Sequence, residues 1–269
     1  MKRALMLSCL VALGCAGGQW EAPAVDPSPP PPLDPGKTAD SDDVDALLGD
    51  DDGPDTPSDA RAAIVARWLA ADPARGRAVG LREHDGKVAD YSRAGIDRTI
   101  ALLAEAKREV AALDTSDADA ALDAAILRSH LELELFNLEV RQTWATDPNF
   151  YSELFDVSAY VDFAYAPLPE RAAKLVAHQE AALPQVEHVL ANLRPVLSKP
   201  VLETAIKIYR VYAEYLRGDV AKLLGGVGDA SLQARFGKSN AALAKAADTI
   251  ADRLSSEWLP RADQASHVL

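Results

Sequence analysis

Cysteine is nearly missing from this chain, and the little there is stands at one end. Both thiols, Cys9 and Cys15, fall within the first eighteen residues. The rest has no group for disulfide bridging, thiolate–zinc ligation or nucleophilic cysteine chemistry. Basic excess is lacking as well: 28 Lys and Arg face 41 Asp and Glu, a formal charge of −13. No stripe of positive charge is left to neutralise phosphates, so nucleic acid is not an expected partner. Beyond the leader, no apolar run approaches the roughly 20 residues of a membrane-spanning helix. Convincing strand alternation is absent, and so is a repeat of fixed period.

The motifs of familiar enzymes are missing too. Five histidines occur, His84, His130, His178, His188 and His267, and none belongs to an H-E-x-x-H pattern. That pattern sets two imidazoles on one helical turn with a Glu beside them. His130 and Glu134 come nearest, four apart on one helix side, but a catalytic zinc needs a third ligand and an open position. A contact on a helix surface or packing seam accounts for them better. His178 and His188 are separated by Pro184, which leaves their relative direction open. No G-x-S-x-G elbow is present. Gly225-Gly226-Val227-Gly228 lacks the Lys-Ser/Thr ending of a phosphate loop and reads as a helix stop. Tyr209, Tyr212 and Tyr215, with Arg210 and Arg217, suit either a peptide groove or an interhelical seam, the seam being the commoner use of such spacing. No catalytic or metal-binding residue is assigned from these patterns.

What is present divides the chain into three parts. Residues 1–18 have the form of an export signal: Lys2 and Arg3, an apolar run through Leu13, then small residues. Ala12-Leu13-Gly14-Cys15 resembles a bacterial lipobox, which makes Cys15 the expected lipidation site. Acyl chains there would hold the protein to a membrane in the cell envelope, each buried methylene adding ~0.8 kcal/mol. Residues 19–58 read as a disordered acidic, Pro-rich linker. Nine of the seventeen prolines and twelve acids fall between Gln19 and Asp59, against the single base Lys37. Such a segment buries too little apolar surface to order itself. Asp50-Asp51-Asp52-Gly53 lacks the alternating ligands of a calcium loop.

Residues 59–269 read as an all-α domain, a bundle of about six long helices. Alanine makes up about a fifth of the chain, which favours helix. One stripe joins Ile64, Val65, Trp68 and Leu69, stopped by Asp72-Pro73. A second follows Ser92 through Ile96, Ile100, Leu103, Ala106 and Val110. A third runs from Ser116 or Asp117 through Leu122, Ile126, Leu127, Leu131, Leu135 and Leu138. Residues 149–168 carry Phe150, Tyr151, Phe155 and Tyr160 and predict short, ring-packed turns. Further helices are predicted over Glu170–Leu193, broken at Pro184, over Pro200–Leu224 and over Ala230–Ser256.

From about residue 60 onward the order of short landmarks resembles the N-terminal half of a bacterial family, domain of unknown function 885. They are Pro73-Ala74-Arg75-Gly76, Gly80-Leu81, His84-Asp85, Asp90-Tyr91-Ser92, the passage from Trp144 to Tyr151, Leu168-Pro169-Glu170-Arg171, Ala182-Leu183-Pro184, Ala191-Asn192-Leu193 and Trp258-Leu259-Pro260-Arg261-Ala262. Gln179 stands where the family's second arginine is expected. The resemblance implies a scaffold like that of helical zinc metallopeptidases. Their other half carries a His-Glu and a Pro-Gly-His as ligands and base. Zinc is implied for such full-length members, whereas no cofactor is expected of this chain's own residues. Two expectations follow. In one, the chain is a truncated or split lipoprotein forming the non-catalytic wall of a peptide-binding cleft, whose partner is a missing C-terminal catalytic half. In the other, it is a complete, non-enzymatic helical lipoprotein that binds a peptide or partner in the envelope.

Overall fold

A computed structural model describes residues 57–264. The chain divides into two units, Met1–Asp52 and Gly53–Leu269, and the described residues lie in the second. Cys15 and His267 fall outside them.

Six helices of fifteen residues or more carry the body, joined by short ones, and no strand occurs among the described residues. Helix α1 spans Pro57–Ala71. Asp72 ends it and starts the next, its carboxylate accepting from the Arg75 backbone N–H at the head of α2, Pro73–Ala78. Helix α3, Arg93–Ala111, is capped by Ser92, and α4, Ala118–Leu135, by Asp117. Each cap satisfies a backbone donor that the first turn leaves free, a contribution of about 1 kcal/mol. Helix α4 continues as a π-helical turn, Phe136–Arg141, and stops at Gln142, whose φ is 51°.

The aromatic stretch forms a 3-10 turn, Pro148–Leu154, and one α-turn, Ser158–Val161. Helix α5, Leu168–Ala182, passes through a 3-10 turn at Pro184 into α6, Val186–Ala191. The proline removes a ladder donor there, which produces the expected break. Helix α7, Lys199–Tyr215, ends in a π turn at Leu216–Val220. Helix α8, Ala230–Arg253, ends in another at Leu254–Trp258. Between α7 and α8, Gly226 and Gly228 adopt φ of 88° and 81°, where a side chain would be strained. Gln233 closes that stop, donating to the Leu224 carbonyl and accepting from the Gly226 N–H.

One continuous apolar core runs through the body. Leu131, Leu175, Leu202, Leu216 and Leu243 are fully buried in it, each stabilising by roughly 1.5–3 kcal/mol. Tyr209 donates to the Pro148 carbonyl at 2.7 Å and meets Phe155 edge-on, and Tyr212 stacks on the same Phe155 ring, so these two tyrosines of α7 form an interhelical seam. A neutral polar chain crosses this core. Ser239 and Asn240 of α8 bracket Gln179 of α5 at 2.7 and 2.8 Å, and Asn240 donates to the Leu216 carbonyl freed by the π turn. On the surface, Arg210 of α7 and Arg217 of the π turn that follows it clamp Asp248 of α8.

Candidate functional site

Several of the landmark residues, among them His84, Asp85, Tyr91, Tyr151 and Arg171, meet in one polar cluster built around the loop between α2 and α3. Arg77, buried on α2, folds back over that loop. Its guanidinium donates to the Lys87 carbonyl at 2.6 Å and the His84 carbonyl at 3.4 Å, and stands 3.8 Å from the Glu153 carboxylate. Glu153 accepts from the Tyr91 hydroxyl at 2.6 Å and the Ala89 N–H at 3.3 Å. Burial pushes this carboxyl above the usual range; the Tyr91 bond opposes the shift, Asp72 adds to it, and Arg77 opposes it.

A second set closes the same loop from the other side. Tyr160 accepts from the Gly86 N–H at 2.9 Å, and its hydroxyl lies 3.5 Å from Nδ1 of His178. His178 is fully buried. Burial first, and then the neighbouring Arg77 charge, push its pKa down to about 3, so the imidazole is neutral. Arg171 donates to the Tyr160 carbonyl at 2.6 Å, and Tyr165 donates to Asp85 at 2.8 Å. Farther along, Tyr151 donates to the Trp144 carbonyl at 2.5 Å, while Asn192 donates to Tyr151 and to the Tyr91 carbonyl.

Gly76 fits this packing for steric reasons. A Cβ there would lie 2.4 Å from the His84 ring carbon Cδ2. Gly76→Ala must displace a buried ring, and we expect it to cost about 1–3 kcal/mol, the range for overpacking, read as a lowered urea midpoint.

The histidines are dispersed. His130 tilts against Trp68, with ring centroids 6.4 Å apart, while Glu134 is bound by Arg75 at 2.6 Å. The expected His130–Glu134 contact is therefore replaced by two others, because the guanidinium offers the carboxylate a charged donor. His188 sits beside Glu187 on α6 at 4.0 Å. Among the described residues no three His, Cys, Asp or Glu side chains are gathered so as to hold a metal ion. Sequence reading passed over Arg77 and Glu153, which lie 76 positions apart with no local pattern joining them. The available signal was an acid, Glu153, set within an aromatic stretch.

Hollows adjoin the cluster on several sides, one of about 410 Å³ being lined by Arg77, Arg82, Glu153 and Phe163. A small cavity of about 270 Å³ reaches Glu153 between Trp68, Asp72 and Tyr91. A larger groove of about 730 Å³ runs between α1 and α4, walled by Val65, Leu69, Leu81 and Ile126. Arg61, Lys87, Glu83 and Asp123 stand along its edges.

A family model described as bacterial protein of unknown function (DUF885) matches residues 73–267. The chain belongs to this family. The DUF885 segment begins at Pro73, at the head of α2, so the polar cluster lies wholly inside it, while α1 precedes it. A solved structure described as that of a candidate lipoprotein of unknown function from Shewanella oneidensis is similar in fold, with a TM-score of 0.69 at 16% identity. The likeness covers 76% of this DUF885 chain and 38% of that one. This chain thus spans well under half the length of that relative. No curated protein matches it. No helix among the described residues is long and apolar enough to cross a membrane.

Proposed function

We propose that this DUF885 chain is an envelope lipoprotein, anchored through Cys15, whose helical body binds peptide in the groove between α1 and α4 and does not cut it. The groove carries this reading. Its walls are apolar, and its edges offer both signs of charge, with Arg61 and Lys87 against Glu83 and Asp123. Apolar side chains of a ligand gain by entering such walls, while charged edges orient its polar backbone and termini. The lipobox-like Ala12-Leu13-Gly14-Cys15 and the Shewanella relative's description support the envelope location.

The acid–base groups nearby are engaged inside the fold. Glu153 is held by Tyr91 and Arg77, and His178 is buried and neutral. Within the family resemblance, such a body is the non-catalytic wall of a cleft, and a separate half supplies zinc and a general base.

The test is binding and integrity together. Ala66 is an exposed groove residue on α1, so Ala66→Trp fills the groove without touching the core. It should weaken binding from a fluorescent peptide library by about tenfold or more, equal to ~1.4 kcal/mol, and leave the melting temperature unchanged. Leu81→Glu should act in the same direction. With zinc added, mass spectrometry should find the peptides whole. Unchanged binding in both variants, or chelator-sensitive cleavage, overturns the reading.

A further inference from the structure

The two oxygens of Glu153 are treated differently by the fold. Oε1 accepts from the Tyr91 hydroxyl and the Ala89 N–H. Oε2 is enclosed and accepts no hydrogen bond, and the Arg77 guanidinium stands 3.8 Å from it. An enclosed acceptor is costly to leave open. A gap of 3.8 Å is too long for a direct hydrogen bond. It is the span that one hydroxyl bridges, accepting from the nitrogen and donating to the oxygen. Arg77 and Glu153 both line the cavity of about 410 Å³. Around them the wall carries further groups of both kinds. Asp156 accepts from the Ser158 N–H at 3.0 Å, and Arg82 rests over the Tyr165 ring, 3.8 Å from its centroid. Phe163 lines the same cavity and is 63% exposed.

We propose that this cavity binds a pyranose ring, free or at the end of an envelope glycan. Such a ring is uncharged, with hydroxyls around its edge and C–H groups on its faces. Each hydroxyl both donates and accepts, which is what the Arg77–Oε2 gap asks of its occupant. Asp156 and Arg82 offer an acceptor and a donor to the neighbouring hydroxyls. The C–H face suits Phe163, whose ring is negative on its own face and apolar. Other ligand classes fit less well. Two guanidiniums and two carboxylates line the cavity, so a charged ligand meets its own sign on the same wall. An apolar ligand would leave Oε2 open. The volume lies in the range of small-molecule sites, roughly 300–1,000 Å³. The inference stands apart from the groove reading, because the cavity and the α1–α4 groove have no lining residue in common.

Saturation-transfer NMR titrations of the full chain test it, with methyl β-glucopyranoside and an N-acetylglucosamine tetramer as probes and cyclohexanol as the control. Transfer to the sugar ring protons is expected, and none to cyclohexanol, which has the C–H face without vicinal hydroxyls. A tetramer that binds more tightly assigns the glycan end, and equal affinity assigns the free ring. Phe163→Ala should weaken binding about tenfold, equal to ~1.4 kcal/mol, and leave the melting temperature unchanged, since the side chain is exposed. Phe163→Trp should keep it. Ala78 is an exposed residue of the cavity wall, so Ala78→Trp should abolish binding by filling the space, while Ala66→Trp in the groove should not. No transfer to either sugar, equal binding of cyclohexanol, or transfer that survives both Phe163→Ala and Ala78→Trp each overturns the proposal.

Discussion

Acidification should strip roughly 3 kcal/mol from the body between about pH 7 and pH 4 through His178 alone. Its folded-state pKa lies at about 3 against an ordinary 6.5. The unfolded chain therefore takes up a proton that the folded chain refuses. The stability from neutral His178 is fully present above 6.5 and is lost as the pH falls toward 3. His178→Gln should flatten that segment of the profile, since the amide is neutral throughout. Urea unfolding of both proteins at the two pH values measures the difference. A variant that loses stability as steeply as its parent would assign the acid response to other groups.

The second large effect is expected at Arg77. Removing it with Arg77→Ala leaves the Glu153 carboxylate without its ion pair and two loop carbonyls without a donor. Loss of one member of a buried pair costs about 3–5 kcal/mol. Arg77→Ala combined with Glu153→Gln should recover part of this, because no uncompensated charge remains. The pH dependence of Glu153 has the opposite sense to that of His178. Its pKa is raised above 4.5, so its contribution is fully present below 4.5 and is lost as the pH climbs through the higher folded value. Glu153→Gln should compare more favourably with the parent at neutral pH than in acid. Arg77→Ala should also ease protonation of His178, since the guanidinium is one cause of that depressed value. A double-mutant cycle followed across pH separates these effects.

Much of the fold was legible in the sequence, because local chemistry dictates it. Ser92, Asp117 and Asp229 each accept from a first-turn N–H, and those residue types announce helix starts. Pro184 and Gly225–Gly228 mark breaks for equally local reasons. The π turns were not legible. At Leu216–Val220 the apolar period runs on without interruption, and the carbonyl it releases is taken by Asn240, 24 positions away. Helix α4 leaves Leu122, Ile126 and Leu133 about half exposed on the side away from its core residues Leu127 and Leu131, and this was hidden too, because a list of apolar positions does not say which face a bundle leaves open. Of the polar cluster, the landmarks gave the parts, His84, Asp90–Ser92 and Tyr151. Their assembly by Arg77 and Glu153 depends on tertiary closure, which no short spacing encodes.

The amide chain of Gln179, Ser239 and Asn240 has a bearing on how the body comes apart. Its members are uncharged at every pH considered, and it sews α5 to α7 and α8. On the neighbouring residue, His178 faces Tyr160, which holds the α2–α3 loop by the Gly86 N–H. Acid therefore acts on one flank of α5 and spares the other. Denaturation should proceed in stages, with the front third of the body shedding its hydrogen-exchange protection while the rear three helices stay zipped.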